Sequence, residues 1–185
     1  MSNLYSHEDY VVYGGYQPSY APYLRKFVDQ TKMTNSLNPL VIDAGAGSGI
    51  YAATMAKWGV KVIAQDISSD SLFAAGSAEV LRCDFADVVL KDKVTGIHAK
   101  DVLGLDVDPG LFFSKATEII KPLGIIMISL LAFIDNGSVL RSAQRNRYRL
   151  FSVNKWTPTG EEVTHDWWKS MESPERNILI FQKID

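Results

Sequence analysis

Leu40-Val41-Ile42-Asp43-Ala44-Gly45-Ala46-Gly47-Ser48-Gly49-Ile50 is the stretch on which the fold turns. Leu40, Val41 and Ile42 are three consecutive apolar residues, two of them β-branched, as expected of a strand covered on both faces. Asp43 ends the run, and three alternating glycines follow. Such glycines permit unusual backbone angles and let a ligand approach where a Cβ would clash. Ile50 to Trp58 predicts a helix, with Gly59 as its stop. The carboxyl end of a buried strand beside a helix N-terminus is where open α/β sheets take nucleotide-like ligands. The spacing excludes two ligand classes. A Gly-x-Gly-x-x-Gly dinucleotide fingerprint would need glycine at position 50, which is Ile50, and no Gly-Lys-Ser/Thr ending supports a phosphate-binding P-loop.

Downstream, Val60 to Ala64 predicts a second buried strand ending at Gln65-Asp66. Asp66 follows Asp43 by 23 positions, where a nucleotide-binding βαβ unit places the acid for a ribose. One carboxylate matches two vicinal hydroxyl donors. Ser68 or Ser69 is a cap for a helix expected over 70–77. Val80 to Cys83 predicts a third strand, and 95–103 a fourth with the loop that leaves it. Asp108-Pro109 opens a helix with a cap and an N1 proline, which stops at Lys121-Pro122-Leu123-Gly124. Ile125 to Leu131 predicts a central strand.

The pattern Asp43-x-Gly45-x-Gly47-x-Gly49 resembles motif I of the class I S-adenosylmethionine-dependent methyltransferases. Lys100-Asp101-Val102-Leu103-Gly104-Leu105-Asp106 is similar to that family's Lys-Asp-Val-Leu-Glu-His-Ile run, with Gly104 and Leu105 replacing its Glu-His pair. Lys121-Pro122-Leu123-Gly124 is similar to the turn before its fifth strand. The resemblance covers residues 38–131 and keeps the family's order of strand, turn and helix. It implies a Rossmann-like α/β sheet of about seven strands, mostly parallel with an antiparallel strand near the C-terminus, and helices on both faces. It further implies S-adenosylmethionine as cofactor, S-adenosylhomocysteine as product and no metal. Asp43, Gly45, Gly47 and Gly49, with Ala44 and Ala46 between them, would cradle the methionine end. Asp66 and Ile67 would hold the ribose side, Asp84 with Phe85 the adenine, and Lys100 and Asp101 would face the methionine half.

The flanking segments leave alternatives open. Before motif I, a helix is expected from Ser19 to Thr31, and Tyr13 and Tyr16 read equally as packing or as a lid that excludes water. After Phe133, a helix within 132–146, an edge strand over 147–153, a helix over 163–171 and a last strand over 177–182 are expected. Arg141, Arg145, Arg147 and Arg149 read as a solvated face or as a site for an anionic acceptor such as nucleic acid. His165, Trp167 and Trp168 read as packing or as pocket lining. Methyl transfer is an in-line displacement in which positioning supplies much of the rate. No catalytic residue is therefore legible, and Lys100, Asp101 and His165 are the candidates.

Composition narrows the class. The chain has 185 residues, 46% apolar and 22% charged, with net charge −2. These values suit one globular domain, divided as an arm over 1–37, a cofactor core over 38–131 and a substrate side over 132–185. An acidic chain is not as a whole an electrostatic nucleic-acid binder. One cysteine, Cys83, suits a reducing cytoplasm, and no apolar run approaches a membrane span. Motifs for base-amino, carbon-5 and ribose methylation are absent, since there is no Asp/Asn-Pro-Pro-Tyr/Phe run, no Pro-Cys and no spaced Lys-Asp-Lys-Glu set. A small-molecule methyl acceptor is the expected partner, with a nucleic-acid enzyme or a non-catalytic cofactor-binding module as alternatives.

Overall fold

A computed structural model describes residues 16–34, 38–68, 70–103, 107–131, 134–157 and 175–184. A single 3-10 turn, Pro18–Tyr20, leads into helix α1, Ala21–Thr34. Strands β1, Leu40–Ala44, and β2, Lys61–Asp66, flank helix α2, Ile50–Lys57. Then come β3, Glu79–Arg82, β4, Val94–Lys100, helix α3, Pro109–Ile119, and β5, Ile120–Leu131. Helix α4, Asn136–Arg145, β6, Tyr148–Trp156, and β7, Arg176–Lys183, complete the set.

The seven strands form one sheet in the order β3-β2-β1-β4-β5-β7-β6. β1 to β5 run parallel, and β7 lies antiparallel between β5 and β6. The order reverses between β1 and β4, so the crevice at their carboxyl ends is the topological switch point. Buried apolar residues cover both faces of the sheet. Val41 and Val62 face Tyr20, Leu24, Phe27, Tyr51 and Met55. On the other side Ile42, Ile97 and Ile126 meet Phe85, Phe112, Phe113 and Phe181. Alternate residues of one strand thus serve opposite layers, which is why these strands read as continuous apolar runs.

Three local expectations need correction. No helix forms over 70–77, where the chain makes turns with Leu72 and Gly76 at φ +66° and +61°. The amides of Leu72 and Ala74 donate instead to the carbonyls of Gly47 and Ser48, at 2.7 and 2.8 Å, strapping this segment onto the glycine turn. The first α-helix begins at Ala21, two residues later than expected, and Ser19 lies in the preceding 3-10 turn with its hydroxyl accepting from Trp156 Nε1 at 2.8 Å. The turn at Lys121 to Gly124 is a bulge inside β5. Val94 pairs with Ile120 and Gly96 with Ile125, which leaves 121–124 looped out with Leu123 at φ +60°. The segments holding Tyr13, His165, Trp167 and Trp168, the Gly104-Leu105 departure, and the helix expected over 163–171 lie outside the described residues.

Candidate active site

The glycine turn is built by protein contacts. Gly45, Gly47 and Gly49 take φ of +62°, +54° and +85°, angles that L side chains rarely adopt. A Cβ on Gly45 would come 2.5 Å from Val102 Cγ2, and one on Gly49 2.8 Å from the Ala75 Cα. Two of the three glycines therefore admit neighbouring loops. Gln65 organises the same turn, a role with no signal in the sequence. Its carbonyl accepts from Ala46 N at 2.8 Å, its Oε1 from Gly45 N at 3.2 Å, and its Nε2 donates to the Cys83 carbonyl at 2.6 Å. With Gly47 N donating to Asp66 Oδ2 at 2.8 Å, these amides already have partners inside the protein. Such a turn is not an open anion nest.

Asp66 ends β2 beside this turn, and its second oxygen accepts from Ser68 N at 3.0 Å. Each carboxylate oxygen can accept more than one bond. Ile67 follows with half its surface exposed, unusual for an isoleucine beside a buried strand end. Asp84 is exposed and caps a short 3-10 turn, Phe85–Asp87, by accepting from Ala86 N at 2.9 Å. Phe85 is in the core, its ring stacked on Phe112 at 4.9 Å. Tyr16 is exposed, 6.0 Å from the Tyr51 ring.

The face toward α1 carries polar groups, among them His98 and Tyr20, which had no signal in the sequence. Asp43 and His98 are cross-strand neighbours on β1 and β4. His98 Nδ1 lies 2.6 Å from Asp43 Oδ1, and His98 Nε2 lies 2.9 Å from the Tyr20 hydroxyl. A carboxylate only accepts, so Nδ1 carries a proton, and in the neutral imidazole Nε2 then accepts from Tyr20. Asp43 is 2% exposed, and His98 and Tyr20 are fully buried. Asp43 Oδ2 is also buried and has no hydrogen-bond partner. Burial raises the Tyr20 phenol well above its ordinary value, with Tyr51, Asp101 and Asp43 adding to it. The phenol therefore stays protonated as the donor.

Lys100 extends from the same face of β4. Its ammonium lies 5.9 Å from the Tyr20 ring and 5.8 Å from those of Tyr51 and Trp156, within cation–π range. It also pairs with Asp101 Oδ2 at 2.9 Å, while the buried Arg176 donates from Nε to Asp101 Oδ1 at 3.0 Å. Burial pushes the Asp101 carboxyl up. Lys100 and Arg176 together outweigh burial and hold it below its ordinary value. Burial lowers Arg176 in turn, opposed by the same carboxylate. Asp101 sits at φ +57°, a strained angle for a residue with a side chain.

The four arginines lie elsewhere. Tyr148, which starts β6, pairs with Lys183, the last residue of β7, so 147–149 sit at the end of the sheet opposite the switch point. Arg141 pairs with Asp135, and Arg149 donates to Gln182. The sheet topology thus keeps Arg147 and Arg149 apart from the crevice, while Arg141 lies on α4 beside its cap Asp135. Among the described residues, no helix is long and apolar enough to cross a membrane.

A family model described as a methyltransferase domain matches residues 16–169. The ubiquinone biosynthesis O-methyltransferase of Bradyrhizobium diazoefficiens is 26% identical over 160 residues, covering 82% of this chain and 60% of the relative. The chain thus spans about 60% of the length of that curated relative. The magnesium protoporphyrin IX methyltransferase of Synechocystis PCC 6803, solved with S-adenosylmethionine bound, superposes with a TM-score of 0.67. It is 16% identical, over 89% of this chain and 80% of the other. The [4+2]-cyclase SpnF superposes with a TM-score of 0.68 at 13% identity, over 86% and 81%. At such identities the structural likeness establishes the fold, and the cyclase illustrates that one fold hosts different chemistry.

Proposed function

This chain belongs to the methyltransferase-domain family, and from that premise we propose that it transfers a methyl group from S-adenosylmethionine to a small-molecule acceptor. The observation that carries the reading is the buried, unpartnered Asp43 Oδ2 at the switch point, beside three glycines at positive φ. An amino group is the donor such an oxygen lacks, and the cofactor's methionine end carries one. A turn whose amides are already bonded suits a cofactor without phosphates. Asp43 and the turn at 44–49 would hold the methionine end, Asp66 and Ile67 the ribose side, and Asp84 the adenine edge. Phe85 would support that loop from the core.

When bound, the cofactor supplies an activated methyl on a sulfonium, ready for direct in-line displacement. The chain's part is to orient the acceptor and exclude water. Tyr20, Tyr51 and Trp156 fix Lys100, and Lys100 with Arg176 fixes Asp101 at the exit of β4. Lys100 and Asp101 would orient the acceptor, while His165 lies outside the described residues. The names of the curated relatives favour a hydroxyl oxygen as acceptor. The nucleic-acid alternative is weakened because two of its four arginines, Arg147 and Arg149, sit at the end of the sheet opposite the crevice. Tyr16 is retained as a covering residue of the cofactor, and Tyr13 is carried with it from the sequence. We take 1–185 to act as one domain in the cytoplasm, a reading supported by the continuous sheet and the single cysteine.

Calorimetric titration with S-adenosylhomocysteine tests the cofactor, using wild type and Asp66→Ala checked for folding by thermal melting. Micromolar binding that weakens at least tenfold in Asp66→Ala is expected. Folded wild type that binds neither S-adenosylhomocysteine nor S-adenosylmethionine would overturn the reading.

A further inference from the structure

We propose that the Asp43–His98–Tyr20 chain is a positioning device that makes affinity for the cofactor's amino end depend on the docking of the N-terminal turn at Pro18–Tyr20. It rests on the reading above that this site takes S-adenosylmethionine. Asp43 carries two oxygens with different fates. Oδ1 is held by His98, and Oδ2 is buried without a donor. The imidazole therefore fixes the plane of the carboxylate and the direction of the oxygen left over. His98 is fixed from its far side by a single hydroxyl, on Tyr20.

Tyr20 belongs to no strand of the sheet. It closes the turn that precedes α1, 78 positions away from His98, and is sandwiched by aromatic neighbours. Its ring centroid is 5.3 Å from Tyr51, in the first turn of α2, and 5.0 Å from Trp156, at the end of β6. Gln17 joins the same docking, with its amide donating to the Tyr51 hydroxyl at 3.3 Å and that hydroxyl donating to Gln17 Oε1 at 3.2 Å. When residues 17–20 are seated, His98 has its Tyr20 donor and Asp43 is aimed. When they are not, Nε2 loses its partner and the carboxylate loses its brace. A buried polar chain is costly unless every member is satisfied. Here the last unsatisfied atom is the one turned over to the ligand. Ligand binding and seating of the turn then favour each other by the same factor, as linkage requires.

The test compares two probes on five proteins, namely wild type, Tyr20→Phe, His98→Phe, His98→Gln and the Tyr20→Phe/His98→Phe pair. S-adenosylhomocysteine carries the amino acid end; 5′-methylthioadenosine lacks it. For S-adenosylhomocysteine, Tyr20→Phe and His98→Phe each weaken binding at least fivefold. The double variant is no weaker than His98→Phe alone, because both break one chain. His98→Gln, whose amide can serve both neighbours, recovers most of the affinity. For 5′-methylthioadenosine, all variants bind as wild type does. Tyr20→Phe keeps the ring and its packing, so the comparison survives even if His98→Phe fails to fold. Unchanged affinity for S-adenosylhomocysteine, additive losses, or equal losses for both probes would each overturn the proposal while leaving the cofactor reading intact. Failure of wild type to bind would instead sink that reading.

Discussion

At Gly49 the backbone sits at φ +85°, and a Cβ would lie within 2.9 Å of three atoms of Ala75, two of them backbone. The sequence offered closeness to a ligand as the reason for this glycine, but the segment strapped across it is protein. Gly49→Ala combines left-handed strain with an overlap against backbone that cannot easily yield. A loss of about 2 kcal/mol or more is expected, read as a lower urea midpoint with unchanged slope. A stability equal to wild type would mean that the 72–75 segment can lift away. Asp43 and Asp66 were legible because a carboxylate at a strand end before or after a glycine turn is a local pattern. Gln65 and His98 were not. A glutamine and a histidine inside strands carry no periodic signal, and their partners lie on other elements.

At the scale of elements, α1 is seated through β4. Gly96 faces it, and a Cβ there would come 2.9 Å from Phe27 Cζ and 2.9 Å from Thr31 Oγ1. Gly96→Val would push the helix off the sheet and pull on the adjoining Pro18–Tyr20 turn. We expect a loss of about 1–3 kcal/mol in urea unfolding, with weaker S-adenosylhomocysteine binding as the His98–Tyr20 bond loosens. Full stability together with full affinity would show that α1 has slack against β4. The missing helix over 70–77 belongs to this scale too. Ser68 or Ser69 as a cap suggested one, but the backbone donors of Leu72 and Ala74 found the carbonyls of the glycine turn. Local propensity is a weak prior where tertiary hydrogen bonds compete.

Across the whole molecule, Asp101 joins the exit of β4 to the start of β7 through Lys100 and Arg176. Its folded carboxyl lies below its ordinary value, so it contributes stability that is present above the usual carboxylate range. That contribution is lost as pH falls through the folded value. Wild type should lose melting temperature more steeply below about pH 4 than Asp101→Asn, which lacks the contribution at every pH. Parallel acid limbs for the two proteins would show that this ion pair network adds nothing. The sequence by itself determined the architecture and the glycine turn at its switch point, because buried strands, glycine turns and helix caps are written in short contiguous patterns. Only the tertiary structure decided that Arg147 and Arg149 sit at the end of the sheet away from the crevice. It also brought Tyr20, His98, Lys100, Trp156 and Arg176 together from four separate segments. Contacts between residues so far apart in the chain follow from sheet order and helix docking, which no local pattern encodes.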